Sequence, residues 1–207
     1  MTKFLYLILI ISFFNNNSFY STSRKDRPLD KVLMIKKTEL DSLKKYYECK
    51  SNHLKSEILD TLNITSIPLL NGLNYDDPSS LLSDILKSGD SDNFKIIMER
   101  EILYQEDFNF GPYALYMAEK YNSASGYFYV WESYFQKNKQ KKLIPREQWL
   151  FMNNLNDDER ALAIYSLIIS AQMRYPLAIF YLSDYFRQGI YVSKDVNYAD
   201  LLYNAVN

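Results

Sequence analysis

Five glycines and six prolines in 207 residues leave little material for tight turns. That scarcity disfavours a sandwich or barrel of many short strands and favours long helices. A single cysteine, Cys49, excludes an intramolecular disulfide, and it lies too far from the N-terminus to carry a lipid anchor. A single histidine, His53, leaves no tetrahedral nitrogen and sulfur site unless carboxylates complete it, so no metal is expected. Neither charge sign dominates: 24 basic against 25 acidic side chains give a net charge of -1. Without a global positive field a polyanion is not held, and nucleic acid is not an expected partner.

Motifs of chemistry are also missing. The sequence has no glycine-rich phosphate loop, dinucleotide fingerprint, Gly-x-Ser-x-Gly elbow or His-Glu-x-x-His helix. Cys49 and His53 stand four residues apart on one expected helix, but nothing beside them supplies an oxyanion hole. The pairs Asp76-Asp77 and Asp157-Asp158 are explained as helix caps, although such carboxylates are also the equipment of a hydrolase. No catalytic residue and no cofactor are assigned, and the chain is expected not to be an enzyme.

Near the N-terminus lies an apolar run too short to span a membrane. After Lys3 the segment Phe4 to Phe14 is apolar except for Ser12, and the polar stretch Asn15 to Ser18 follows. A membrane-crossing helix needs about 20 apolar residues, so this shorter run reads as an export signal. Ser21 and Ser23 offer a cleavage position, which sets the expected boundaries: signal 1–23, helical region 24–108, repeats 109–207. The mature chain is then exported, periplasmic or secreted, touching a membrane only through this segment before cleavage.

Aromatic and apolar side chains are abundant, with 19 tyrosines, 12 phenylalanines and 47% hydrophobic residues. The class expected is all-α in one domain. Leu40, Leu43, Tyr47, Leu54, Ile58 and Leu62 mark one face of a helix over about 38–62, with Thr38 as its N-cap and Asp41 at the capping-box position. Lys44, Lys45, Lys50, Lys55 and Glu57 form its expected solvated face. Asn63-Ile64-Thr65 matches a glycosylation acceptor, taken as a chance match. Asp77-Pro78 starts a short helix that ends at Ser88-Gly89. Asp90 or Asp92 caps the next, whose inward stripe is Phe94, Ile97, Met98, Ile102 and Tyr104.

The second half repeats itself. Pro112, Ala114, Leu115, Tyr116 and Tyr121 return as Pro176, Ala178, Ile179, Phe180 and Tyr185 at a constant offset of 64. Proline pre-sets a first helical turn, alanine admits a neighbouring helix, and aromatics fill the space beyond. In the partner helices Ala124 precedes Tyr127-Phe128, Ala161 precedes Ile164-Tyr165, and Ala199 precedes Leu202-Tyr203, always by three and four residues. The last two copies lie 38 residues apart, a helix-hairpin repeat length. Between the copies, the basic run Lys137 to Lys142 reads as a solvated loop, Pro145 opens a helix with Trp149 and Leu150, and Asp157 to Glu159 supply an acidic first turn.

The segment Ala171 to Val206 resembles a Sel-one-like repeat, one of the tetratricopeptide-related α/α solenoids. The matching residues are Ala178, Phe180, Leu182, Phe186, Gly189, Val192, Asp195, Ala199, Leu202 and Tyr203. Three positions depart from that pattern: Ser183, Tyr191 and Arg174 stand where the family has glycine. The resemblance is partial over Asp157 to Ala171 and weaker over Gly111 to Gln136. It implies a short right-handed superhelix of helix hairpins, with Gly189 in a left-handed turn and Asp195 capping the second helix.

Solenoids present extended binding faces, so the expected partner is a protein. The candidate partner-binding residues are Tyr181, Asp184 and Arg187, with Met117 and Lys120 as counterparts of Tyr181 and Asp184. By analogy with exported members of such families, the role expected is that of an inhibitor, regulator or immunity protein of the bacterial envelope. Two alternatives stay open at this level: a carboxylate-based cell-wall hydrolase with its site in the N-terminal half, and a structural subunit of an envelope assembly.

Overall fold

A computed structural model describes residues 28–64, 67, 78–99, 108–138 and 151–206, and every regular element among them is helical. In chain order these are α1 (Pro28–Ile35), α2 (Lys37–Thr61), α3 (Pro78–Ser88), α4 (Ser91–Ile97), α5 (Gly111–Tyr121), α6 (Ala124–Asn138), α7 (Asp157–Gln172), α8 (Pro176–Gln188) and α9 (Val196–Val206). A short 3₁₀ turn at 151–154 precedes α7. The expected signal, Thr65 of the glycosylation motif, Asp76-Asp77, Ile102, Tyr104, the basic run beyond Asn138 and the helix opened by Pro145 lie outside the described residues.

Local chemistry explains most helix ends. The Asp90 side chain accepts the Asn93 N–H and caps α4, and Asn156 closes a capping box with Glu159 at the start of α7. Ser123 accepts the Gly126 N–H at 3.0 Å where α6 begins, just after Asn122 has turned the chain left-handed at φ 51°. Gly189 ends α8 at φ 72°, and the Asp195 carboxylate then accepts the Tyr198 N–H at 2.9 Å to start α9. The start of α2 departs from expectation. Its N-cap position is Lys36, without a side-chain cap, because α1 runs almost directly into it and Thr38 already lies inside the helix.

Each helix from α5 to α9 packs on the next. In the middle of that row, α6 buries Tyr127 to Trp131 without interruption and α7 buries Ala161 to Ile168. A helix apolar on every side belongs at the centre of a core, enclosed by neighbours all round. Trp131 is the hub: its ring lies 5.9 Å from Phe135, 5.7 Å from Phe151 and 4.4 Å from Tyr181, and its Nε1 donates to the Tyr185 hydroxyl at 3.1 Å. The notch that admits α5 against α6 is Gly126 rather than Ala124. A Cβ on Gly126 would meet the Ala118 backbone nitrogen at 2.7 Å, whereas Ala124 is half-buried. Of the paired knobs, Leu202 is buried and Tyr203 exposed.

The N-terminal helices share that core. α2 lies along α7 and touches α5, α1 packs on α9, and α3 and α4 close over α5 and α6. Leu40 is buried and Leu43, Tyr47, Leu54, Ile58 and Leu62 are half-buried, as their spacing predicts. Lys55 is different. It is not on the solvated face but 8% exposed, its ammonium over the Tyr165 ring at 4.5 Å from the centroid and 3.4 Å from Glu119. A long aliphatic stem covers apolar surface while its charged tip finds a partner, which hydropathy patterns do not register.

Candidate interaction face

Tyr181 sits midway along α8, and the alternation of the helix sends its ring toward α6. It stacks against Trp131 and Phe128, with centroids 4.4 and 6.1 Å away, and meets Phe180 edge-on at 5.4 Å. Phe180 in turn reaches Tyr203 of α9 at 5.7 Å. One and two turns further along α8 stand Asp184 and Arg187. The Arg187 guanidinium bridges the two helices, 2.9 Å from Asp200 of α9 and 4.0 Å from Asp184. Burial raises the Asp184 carboxyl above its ordinary value, and Arg187 opposes that shift.

The hairpin therefore presents an aromatic ledge, Phe180, Tyr181 and Tyr203, beside a charged row, Asp184, Arg187 and Asp200. Tyrosine and arginine are the residues most often found to dominate protein interfaces. The charged row is half exposed and lends the fold about 0–1 kcal/mol, so it can exchange partners at little cost. Phe180, Asp200 and Tyr203 join the face beyond the residues that the sequence singles out. Phe180 and Asp184 are four residues apart on one helix, a spacing that could have revealed the pairing.

The two residues chosen by the 64-residue offset are placed elsewhere. Met117 is 0% exposed, so its side chain belongs to the core and offers nothing to a partner. Lys120 is exposed on α5, folded back over Tyr116 and Tyr121 of its own helix at 4.8 and 5.2 Å. The offset carries over helix position correctly but not surroundings: α5 is covered by α2, α3 and α6, a set of neighbours α8 does not have.

No family model, curated protein or solved structure matches this chain.

Two polar clusters lie away from this face. Between α2, α5 and α7, Lys55 faces Glu119 and the Tyr165 hydroxyl, which itself donates to Glu48 at 3.4 Å. Burial, with Glu119 next, raises the Tyr165 phenol far above its ordinary value. Between α4, α6 and Tyr175, the Tyr129 hydroxyl is buried near Tyr175, Glu99 and Glu132, and burial likewise raises its pKa. Cys49 and His53 are both exposed on α2. Among the described residues no three His, Cys, Asp or Glu side chains gather as a metal site.

Proposed function

We propose that this chain is an exported protein of helix-hairpin repeats that binds another protein through the α8–α9 face, acting as an inhibitor, regulator or immunity protein in the bacterial envelope. The observation that carries the reading is the pairing of an aromatic ledge with the Asp184–Arg187–Asp200 row on one hairpin. The sequential packing of α5 to α9 supports a solenoid. So do Arg174 and Tyr191, which stand at two of the family's glycine positions and adopt left-handed backbone, φ 69° and 58°.

The test is a pull-down from the envelope fraction, with the recovered partner then measured against purified variants. Tyr181→Ala combined with Arg187→Ala is expected to weaken binding by at least about a hundredfold, with unchanged helicity. Full affinity in the double variant would remove this face from the proposal. Lys120→Ala is expected to leave affinity unchanged.

A further inference from the structure

α2 meets the later helices through a repeat of seven. Leu40, Tyr47 and Leu54 stand seven residues apart on its inner side, and Asp41, Glu48 and Lys55 follow each of them by one. Such spacing returns side chains to one line along a helix, the way one helix lies along another in a coiled coil. Each member of the second set has its own receiver. The Gln172 amide donates to Asp41 at 2.9 Å, the Tyr165 hydroxyl donates to Glu48 at 3.4 Å, and Lys55 donates to Glu119 at 3.4 Å. Tyr47 adds its hydroxyl to the Tyr191 carbonyl at 3.3 Å. Asp41 to Lys55 is two heptads, about 21 Å of helix. Groups on α5, α7 and the loop after α8 thus read four side chains of α2 along that length.

The attachment is nevertheless shallow. Of the 25 residues of α2 only Leu40, Ser51 and Lys55 are buried, whereas α7 buries ten of its 16. Ser51 brings a small hydroxyl, bonded to the Glu48 carbonyl, to the middle of the seam, and Lys55 brings a charge. Elements with few buried apolar contacts open at a lower free energy than the whole fold. What α2 would leave behind is a chemically defined groove, because Glu119, Tyr165 and Gln172 all belong to α5 and α7. An ammonium set where that of Lys55 lies is held by the Glu119 carboxylate and by the face of the Tyr165 ring, which Tyr127 of α6 braces edge-on at 6.2 Å. We propose that α2 is a releasable strap that lifts from α5 and α7 while the other helices stay folded. The groove beneath it then takes an amphipathic helix of a partner protein, one with the same heptad spacing and a lysine at the Lys55 position, which is helix-in-groove recognition. The inference is independent of the α8–α9 reading, which stands even if α2 never opens.

Hydrogen exchange of the unmodified chain, read by mass spectrometry, tests the strap. Interior amides of α2 are expected to exchange at least about tenfold faster than those of α6 and α7, through an opening less sensitive to urea than global unfolding. A variant with Cys49→Ser and Ser51→Cys then places the chain's one thiol beneath α2, where its reaction with a disulfide reagent reports the same opening. The probe for the groove is a synthetic peptide of residues 37–61 carrying Cys49→Ser. A peptide that occupies the groove keeps α2 from reclosing, so labelling and α2 exchange are expected to accelerate at least about threefold at about 1 mM peptide. The same peptide with Lys55→Ala is expected to lose most of that acceleration. Exchange of α2 and α7 together at the global rate overturns the strap. Opening that is indifferent to the peptide, or equally responsive to the Lys55→Ala peptide, overturns the groove.

Discussion

At residue scale, the positions with left-handed backbone are the most exposed to test. Arg174 adopts φ 69° between α7 and α8, where an L-residue suffers a clash worth about 1–2 kcal/mol and glycine does not. Its ion pair with Asp30 is half exposed and contributes about 0–1 kcal/mol. Arg174→Gly is therefore expected to raise stability by about 0.5–1 kcal/mol, read from the urea midpoint. Asp195 provides a pH test of opposite character. The Tyr198 N–H, and after it the Lys36 side chain, hold its carboxyl below the ordinary 3.8. Its contribution is complete above that value and lost as pH falls below it through the depressed native value. The thermal midpoint is expected to drop on acidification below 3.8, and Asp195→Asn to flatten that drop.

At the scale of elements, the α5–α6 contact turns on Gly126. A methyl group there meets backbone atoms of Ala114 and Ala118 that cannot rotate away, so the helices must separate. Gly126→Ala is expected to cost about 1–3 kcal/mol in denaturant unfolding, although alanine is the better helix former. The sequence conveys this kind of information unevenly. Helix positions were legible because proline, asparagine, aspartate and glycine act locally: Asp90, Pro176, Gly189 and Asp195 function as their types predict. Ala124, by contrast, could not be told from Gly126 as the point of closest approach, since helix crossing depends on the partner. The burial of Lys55 was hidden for the same reason: its partners, Glu119 and Tyr165, are 64 and 110 residues away. Of the proposed face, the shared register of Tyr181, Asp184 and Arg187 on α8 was legible, whereas the neighbours Phe180, Asp200 and Tyr203 that the structure sets beside them were not. The burial of Met117 was not legible either, because the coverage of α5 by α2 and α3 is a property of the assembled fold.

At the scale of the whole molecule, tyrosine sets the alkaline limit. Burial raises the phenols of Tyr113, Tyr127, Tyr129, Tyr134, Tyr165, Tyr185, Tyr191 and Tyr198 above the ordinary 10, and pushes Tyr47 up to about 12. A phenol whose native pKa is raised contributes stability that is complete below 10 and lost as pH climbs toward the native value. Alkaline unfolding is expected to begin above that pH and to be cooperative. Tyrosinate absorbance should rise in two stages, exposed rings first and the buried group together with the loss of helical circular dichroism. A single smooth titration with helicity intact would contradict this placement of the rings.

The position of α2 also has a consequence in time. Its inward side is answered by Glu119 of α5, Tyr165 of α7 and the Tyr191 carbonyl, which accepts the Tyr47 hydroxyl across 144 residues of chain. Synthesis proceeds from the N-terminus, so α2 leaves the ribosome long before the groups that receive it. The row α5 to α9 closes through contacts between successive helices, whereas docking α2 must close long loops, the slower kind of step. Until α7 has emerged, a nascent chain carries the Leu40, Leu43 and Leu54 side of α2 without its main partner, and during that interval a holding chaperone has something to grip.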